Sequence, residues 1–464
     1  MESRVTDYRS PQKFSRLFKS EWLPRLKELY EHKNAPIYNS YCGDRLQAED
    51  LPELENLNKI VRQSVGSKQN PDDHLIDRVR SWMYSSKYIH QKVSSLHLKH
   101  DWQKIERMER HHLQNHMSEI IPENLNLNRL VFNSSSGTTG QVLYVPFSPV
   151  GVASYNIIMR NIMSRYGIVK NFSNFDTAAV QLCFQQSTMT YATLHSEFNG
   201  AAFAKINLNL SDWKAIEDIE KYLHFCSPIA FTGDPFAFEE YMRRGLSFKP
   251  QIILSTALEL SSQSKNRLQE FFQNNIVNIY SSSETGIIAV NCPLHFEKMH
   301  AVHPKSYIEI VDSQNRPVIP DGKHRGTILI SGGLNEFVPL LRYNTKDSAA
   351  YTFENCACGY SGISLFEISG RAVVVFKDKR DQKINSIDFS RLFRNYPILS
   401  HQVTQKADYS FDIVLDSVSS KPLHNEDDLR AELFKLTGGL PLSIKYGISR
   451  KNGKFLPFIS QIDV

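Results

Sequence analysis

Seven small residues in a row, Ser134, Ser135, Ser136, Gly137, Thr138, Thr139 and Gly140, separate two β-reading runs that begin at Arg129 and end at Pro146. Such a loop offers hydroxyls and unobstructed backbone N–H groups. Successive amides form a concavity that binds anions, and polyphosphates suit it well. It is not a Walker A loop, because the G-x-x-x-x-G-K-S/T spacing is absent and no helix opens directly after it. The same composition also suits a plain hairpin turn. A second segment, Ser281-Ser-Ser-Glu284-Thr-Gly286, is delivered by the β-branched run Ile276–Tyr280. A polar loop leaving the carboxyl end of a strand is where α/β proteins usually bind ligands.

The elements that must hold these loops are legible in outline. Residues 1 to about 120 are rich in charge and helix formers, as in Phe14–Tyr30 and Trp102–Met117, and read as helical segments packed on the next portion of the chain. Ser148-Pro149 reads as an N-cap followed by proline at the first helical position, opening a helix that runs towards Gly167. From Ala178 to Ile276 short apolar runs (Ala178–Phe184, Ile229–Thr232) alternate with helical stretches such as Ser211–Phe225. Strand–helix alternation implies α/β layers. Residues 306–351 are β-rich, with turns at Asp312–Asn315 and Pro320-Asp-Gly322. After Arg371 the pattern changes to a small α+β domain, with strands at Val373–Phe376, Phe411–Val414 and Ile444–Ile448 and helices at Ser386–Phe393 and Asn425–Leu436.

A chain of 464 residues accommodates two or three domains. Its 41% apolar and 22% charged content is that of an ordinary globular protein. The formal charge of +5 is spread among residues of both signs and gives no footprint for nucleic acid. The N-terminus lacks the apolar core of a signal peptide, and no apolar run approaches the roughly 18 residues of a membrane span. The expectation is a cytoplasmic protein without membrane contact.

Four separated pieces occur in one order: Ser134–Gly140; Tyr280–Gly286; Arg342-Tyr-Asn-Thr-Lys-Asp347 with Gly370-Arg371; and Asn452-Gly-Lys454. This order resembles the adenylate-forming (acyl-activating) superfamily, and within it the phenylacetate–CoA ligase branch, from about Trp102 to the C-terminus. The resemblance implies a large multilayer α/β N-terminal adenylation domain with a β-rich subdomain, plus a small α+β C-terminal domain. The expected boundaries are 1–120 for a helical portion, 121–370 for the AMP-binding core and 371–464 for a mobile small domain. It also implies that a carboxylate attacks the α-phosphate of ATP to give an acyl-adenylate, which then passes to a thiol. Ser135, Ser136, Gly137, Thr138, Thr139 and Gly140 would hold the β- and γ-phosphates, Glu284 would help coordinate magnesium, and Tyr280 would stack on adenine. Thr256 and Ala257, with Ser281, would line the adenine pocket. Asp347 would accept both ribose hydroxyls, which suits an acceptor-only carboxylate. Arg371 would reach ribose or phosphate, and Lys454 would be the catalytic lysine that neutralises charge on the reacting oxygens.

Some members of that branch carry a zinc site built from Cys and His. Here Cys292, His300, Cys356 and Cys358 match it, with His295 and His303 as alternatives to His300, and free thiols as the plain alternative. Cys42, Cys183 and Cys226 read as ordinary buried thiols. The match departs at Gln141, where relatives often have lysine, and after Gly370-Arg371, where Ala372-Val373-Val374 replaces the hinge acid. Lys379-Arg-Asp-Gln-Lys-Ile384 also lacks the glycine turn that lines the thiol channel. Gln141 bears on phosphate affinity, whereas the hinge and the missing glycine turn concern the second half-reaction, so coenzyme A, a carrier-protein phosphopantetheine and an amine all stand as acceptors. Phe184, Tyr191 and His195 are the candidates for lining the acid pocket, and the branch implies an aromatic or small carboxylic acid. Lys377, Lys379, Arg380 and Lys383 form either a patch for an acidic acyl carrier protein or a solvated charge run; a homodimer is a further expectation. An acyl-protein synthetase and a nucleotide-binding pseudoenzyme are the competing readings.

Overall fold

The computed structural model describes residues 5–62, 71–134, 143–258, 260, 262–302, 305–369, 374–393, 395–417, 422–447 and 458–462. The chain divides into two compact units, with the change at residue 371 and the smaller unit made chiefly of Ala372–Val464. Strands β1 (Val131–Ser134) and β2 (Tyr144–Phe147) form a two-stranded sheet flanking the Ser/Gly/Thr loop. The sheet of the larger unit contains, in chain order, β3 (Thr177–Cys183), β4 (Tyr191–His195), β5 (Ala201–Asn207), β6 (Ala230–Gly233), β7 (Ile252–Ser255) and β8 (Asn275–Ser282). It continues with β9 (Gly286–Asn291), β10 (Lys298–Ala301), β11 (Ser306–Val311), β12 (Asp321–Gly332), β13 (Leu340–Thr352) and β14 (Ser364–Ser369). Among the described residues these twelve lie in the order β11-β12-β13-β14-β10-β9-β8-β7-β6-β3-β5-β4.

The half from β5 to β8 is parallel and buried on both faces, which is why its strands read as continuous apolar runs. Alternate residues enter separate cores. Phe231 and Ile253 pack with Tyr222, Phe238, Tyr241 and Phe272 from helices on one face. Ala230, Ile252 and Leu254 pack with Ile157, Ile158 and Ile162 on the other. The latter belong to the helix Pro149–Arg165, whose Ser148 cap accepts the Gly151 N–H at 2.9 Å. No helix among the described residues is long and apolar enough to cross a membrane.

The smaller unit has β15 (Val375–Lys377) paired with β16 (Lys383–Asn385), and a four-stranded sheet of β17 (Ile398–Gln405), β18 (Phe411–Ser417), β19 (Leu442–Tyr446) and β20 (Phe458–Ser460). Helices Ser386–Phe393 and Glu426–Leu436 complete a core around Phe376, Phe389, Phe411 and Leu429. In the β15–β16 turn Lys377 pairs with Asp381 and Arg380 with Asp378.

Trp102–Met117 is not one helix. Residues 102–104 make a 3₁₀ turn, the chain then extends, and helix resumes at Arg110–Asn115. The physical reason is pairing with β13: the Met108 N–H donates to the Arg342 carbonyl (3.2 Å), and the Asn344 N–H donates to the Met108 carbonyl (2.8 Å). Beneath this strut the fully buried Arg342 guanidinium faces Glu309, with Nη2 3.3 Å from Oε1, and its Nη1 donates to the Gln103 and Ile105 carbonyls at 2.8 and 2.9 Å. The Trp102 indole N–H donates to Glu309 at 3.1 Å. Arg342 of the Arg-Tyr-Asn-Thr-Lys-Asp motif is therefore structural. Removing one member of a buried pair strands the other, so Arg342→Met is expected to cost about 3–5 kcal/mol. Urea denaturation of the larger unit's transition checks this; a loss below about 1 kcal/mol, the worth of an exposed pair, would refute it.

Candidate active site and metal centre

β8 changes partners along its length. Asn275–Asn278 pair in parallel with β7, and Ile279–Ser282 pair antiparallel with β9, with a register irregularity between Tyr280 and Ser281. The register Leu182–Gly233–Ser255–Asn278 runs across β3, β6, β7 and β8. Two residues further along, Phe184, Ala257 and Tyr280 therefore emerge at the carboxyl edge, where the α/β half ends and the antiparallel half begins.

At that edge the side chains engage one another. The Thr256 hydroxyl lies 3.2 Å from that of Ser281, and the Thr256 N–H donates to the Gly233 carbonyl at 2.9 Å. Ala257 is exposed and sits at φ 71°, a left-handed conformation uncommon for alanine and held here at the loop after β7. The Tyr280 hydroxyl donates to Asp347 Oδ2 at 2.6 Å, joining β8 to β13. Burial raises the Tyr280 phenol well above its ordinary range, and the Asp347 charge adds to this. Ser282 and Thr285 close the turn after β8 through hydroxyls 2.9 Å apart, and Gly286 follows at φ 74°. Glu284 at the turn is only 5% exposed and forms an ion pair with Arg110. As a hard oxygen donor on a polar turn it suits magnesium, which usually takes one or two carboxylates plus substrate phosphates.

Other expected residues stand apart. Tyr191 and His195 lie on β4, five strands from β8, or about 24 Å at ordinary strand spacing. His195 faces Ala201 at the start of β5, so it sits at the amino end of the parallel strands, opposite the edge that carries Tyr280. It is not with the other site residues, and its partners explain its presence. Its Nδ1 lies 3.2 Å from Glu197 and 3.1 Å from the Asn156 amide. Burial lowers its pKa, but the Glu197 carboxylate outweighs this and the net direction is up. Phe184 sits at the carboxyl edge beneath the Arg244 guanidinium, 5.8 Å from the ring centroid. Ser135 to Gly140, Arg371, Lys454 and His303 lie outside the described residues.

The four cysteine and histidine residues converge. Cys292 follows β9, His300 is on β10, and Cys356 and Cys358 lie between β13 and β14; their ligand atoms are all within 4.8 Å of one another. The Cys292 and Cys356 sulfurs are 3.6 Å apart, and Cys358 Sγ is 3.3 Å from His300 Nε2. A tetrahedron with Zn–S of about 2.3 Å and Zn–N of about 2.0 Å has edges of about 3.8 and 3.5 Å, so the donor set fits zinc. Burial pushes the His300 pKa down to about 4, leaving the neutral ring that metals require. Ser364 Oγ lies 3.0 Å from Nδ1, and the ring stacks on Tyr360 at 4.1 Å, so Nε2 is held towards the sulfurs. His295 is exposed and not in the cluster.

The solved structure of 2-hydroxyisobutyryl-CoA ligase in complex with 2-HIB-AMP and CoA, in the thioesterification state, aligns over 90% of this chain and 91% of its own, at 14% identity and a TM-score of 0.56. The chain shares the fold of that ligase. The same ligase in the postadenylation state with 2-HIB-AMP aligns over 83% of this chain and 88% of its own, at 15% identity and a TM-score of 0.52. No protein-family model and no curated protein matches the sequence. Sequence reasoning did not single out Arg110, which pairs with Glu284, or Ser364, which lies against His300. Neither has a local signal: Arg110 reads as one more basic residue in a helical run, and Ser364 as one polar residue at a strand start.

Two outcomes are expected. Metal analysis of protein prepared without chelator should find about one zinc per chain, and Cys356→Ser should carry less than about a tenth of it, since one missing ligand opens a closed structural site; wild-type protein free of zinc would refute this. The His195–Glu197 pair gives a pH signature. His195 has a raised folded pKa, so its contribution is complete below about 6.5 and fades as pH rises through the folded value. Glu197, lowered by His195 despite its burial, contributes above about 4.5 and fades below. The stability difference between wild type and His195→Gln should therefore peak near pH 5–6 and shrink by pH 9. A difference flat across that range would show the pair to be neutral.

Proposed function

We propose that this chain is an ATP-dependent ligase that activates a small or aromatic carboxylic acid as an acyl-adenylate and passes the acyl group to a thiol. The observation that supports it most is the carboxyl-edge cluster, Thr256 with Ser281, Tyr280 with Asp347, and buried Glu284, in a chain of this fold. 2-Hydroxyisobutyryl-CoA ligase, which shares the fold, is solved with an acyl-adenylate and CoA.

In this reading Thr256, Ala257 and Ser281 line the adenine site. Asp347 receives the ribose hydroxyls while holding Tyr280, since a carboxylate accepts several hydrogen bonds at once. Tyr280 fixes the Asp347 carboxylate in position and presents its ring to the base. Glu284 holds magnesium, which supplies charge neutralisation on the phosphate oxygens. Ser135–Gly140, Arg371 and Lys454 keep the phosphate-binding, ribose or phosphate, and catalytic roles that the resemblance implies. Phe184, at the same edge, is the side chain best situated to meet the acid. Zinc on Cys292, His300, Cys356 and Cys358 is structural, because all four positions are protein donors. The acceptor is coenzyme A or a phosphopantetheine thiol, and the setting is cytoplasmic.

Carboxylate-dependent ATP–pyrophosphate exchange over aryl, aliphatic and hydroxy acids tests the reading. Exchange with one acid class is expected, and Glu284→Gln and Lys454→Ala should each lower it about 10²-fold or more, the scale of losing one electrostatic stabiliser. Silence across the panel with ATP binding intact would count against catalysis and favour a nucleotide-binding regulator.

A further inference from the structure

The Glu284 carboxylate, at the place where a metal ion is proposed, is already held by another cation. Arg110 forms an ion pair with its Oε1; the carboxylate side chain is 5% exposed and the guanidinium side chain 19%. Arg110 does not belong to the nucleotide site by sequence. It comes from the N-terminal strut, as the first residue of the helix Arg110–Asn115, and its approach is fixed from β13. Met108 pairs with the backbone of β13, and the Glu109 carboxylate accepts the Asn344 amide at 2.9 Å and pairs with Lys346. The strut is thus anchored on both sides of Tyr343 and points its next residue at Glu284. Tyr343 and Tyr155 also border that carboxylate; burial pushes both phenols up, and its charge pushes them further.

A carboxylate this buried needs a counter-ion. A divalent ion competes with Arg110 for the charge of the same buried carboxylate, and a guanidinium and a metal on one carboxylate repel each other. A free metal ion meets that repulsion and offers Arg110 no anion in exchange. A metal–nucleotide brings phosphate oxygens that give the guanidinium new anionic partners, so for it the exchange is balanced. We propose that Arg110 is an exchangeable counter-ion that shields Glu284 from free divalent metal and yields it only to a metal–nucleotide. It is a positioning residue, and the proposal rests on the reading of Glu284 as a metal ligand.

The test uses Mn²⁺ as a paramagnetic probe, its binding followed by electron paramagnetic resonance in zinc-loaded full-length protein. Wild type should bind Mn²⁺ at this site with ATP and not without it. Arg110→Gln and Arg110→Ala, as two independent removals, should gain a site for free Mn²⁺ at least about tenfold tighter than any in wild type, because the competing cation is gone. Arg110→Lys keeps the charge and should still exclude free Mn²⁺. A residue with a merely structural role would weaken metal binding when removed, not create it. Unchanged or weaker free-Mn²⁺ binding in whichever removal folds, or a new site in Arg110→Lys, overturns the proposal. The control Glu284→Gln should abolish both the new site in the Arg110→Gln background and the nucleotide-dependent signal in wild type; if the wild-type signal survives, the reading of Glu284 as a ligand fails instead.

Discussion

The extended segment from Ile105 to Glu109, between the 3₁₀ turn at Trp102 and the helix at Arg110, is the constraint on which the larger unit's site depends. It replaces what would be the middle of a helix with a strand-like strut along β13, locked by the buried Arg342–Glu309 pair and by Met108. A buried ion pair is weak evidence for stability in itself, because desolvation offsets much of the Coulombic gain. Its value here is geometric. Burial pushes the Glu309 pKa up, while Arg342 and the Trp102 indole N–H favour its charged form and hold it to the strut. The strut can therefore lie in one register, and that register delivers Glu109 to Lys346 and Arg110 to Glu284.

A second organising feature is β8. Most strands in the sheet keep one kind of neighbour, but β8 is parallel on one side and antiparallel on the other. The parallel half needs helices on both faces and ends in loops at its carboxyl edge, while the antiparallel half runs on past that edge. Tyr280 lies where the one kind of pairing gives way to the other. The bond from Tyr280 to Asp347 links β8 to β13 across β9, β10 and β14, which separate them in the sheet.

The sequence is informative where the signal is local. The Ser148 cap opens the helix Pro149–Arg165, and the apolar runs at 178–184 and 229–232 fall on β3 and β6 within a residue or so. The helix read at 386–393 has those same bounds in the structure. The Cys-x-Cys pair and Cys292 meet at one point with His300, while the rival His295 stays exposed. Local signals fail where tertiary pairing overrides periodicity, as at Trp102–Met117. They also leave open on which edge of the sheet His195 lies, because strand direction decides that and composition does not encode it. β17 is also invisible to them, because Ile398–Gln405 mixes polar and apolar residues without a regular alternation.

One consequence of the strand order concerns synthesis on the ribosome. β10 pairs on one side with β9, its immediate predecessor, but on the other with β14, whose first residue lies some sixty positions further on. At about 5–20 residues per second, the far edge of β10 waits roughly 3–12 s for its partner to be made. Throughout that interval the nascent sheet has an open edge capable of pairing with another chain. The edge is only four residues long and begins with Lys298, two of the devices by which proteins blunt such hazards. The brevity of Lys298–Ala301 is then not an accident of a small hairpin. It limits the surface that a half-made chain exposes to its neighbours before the last strand slots in.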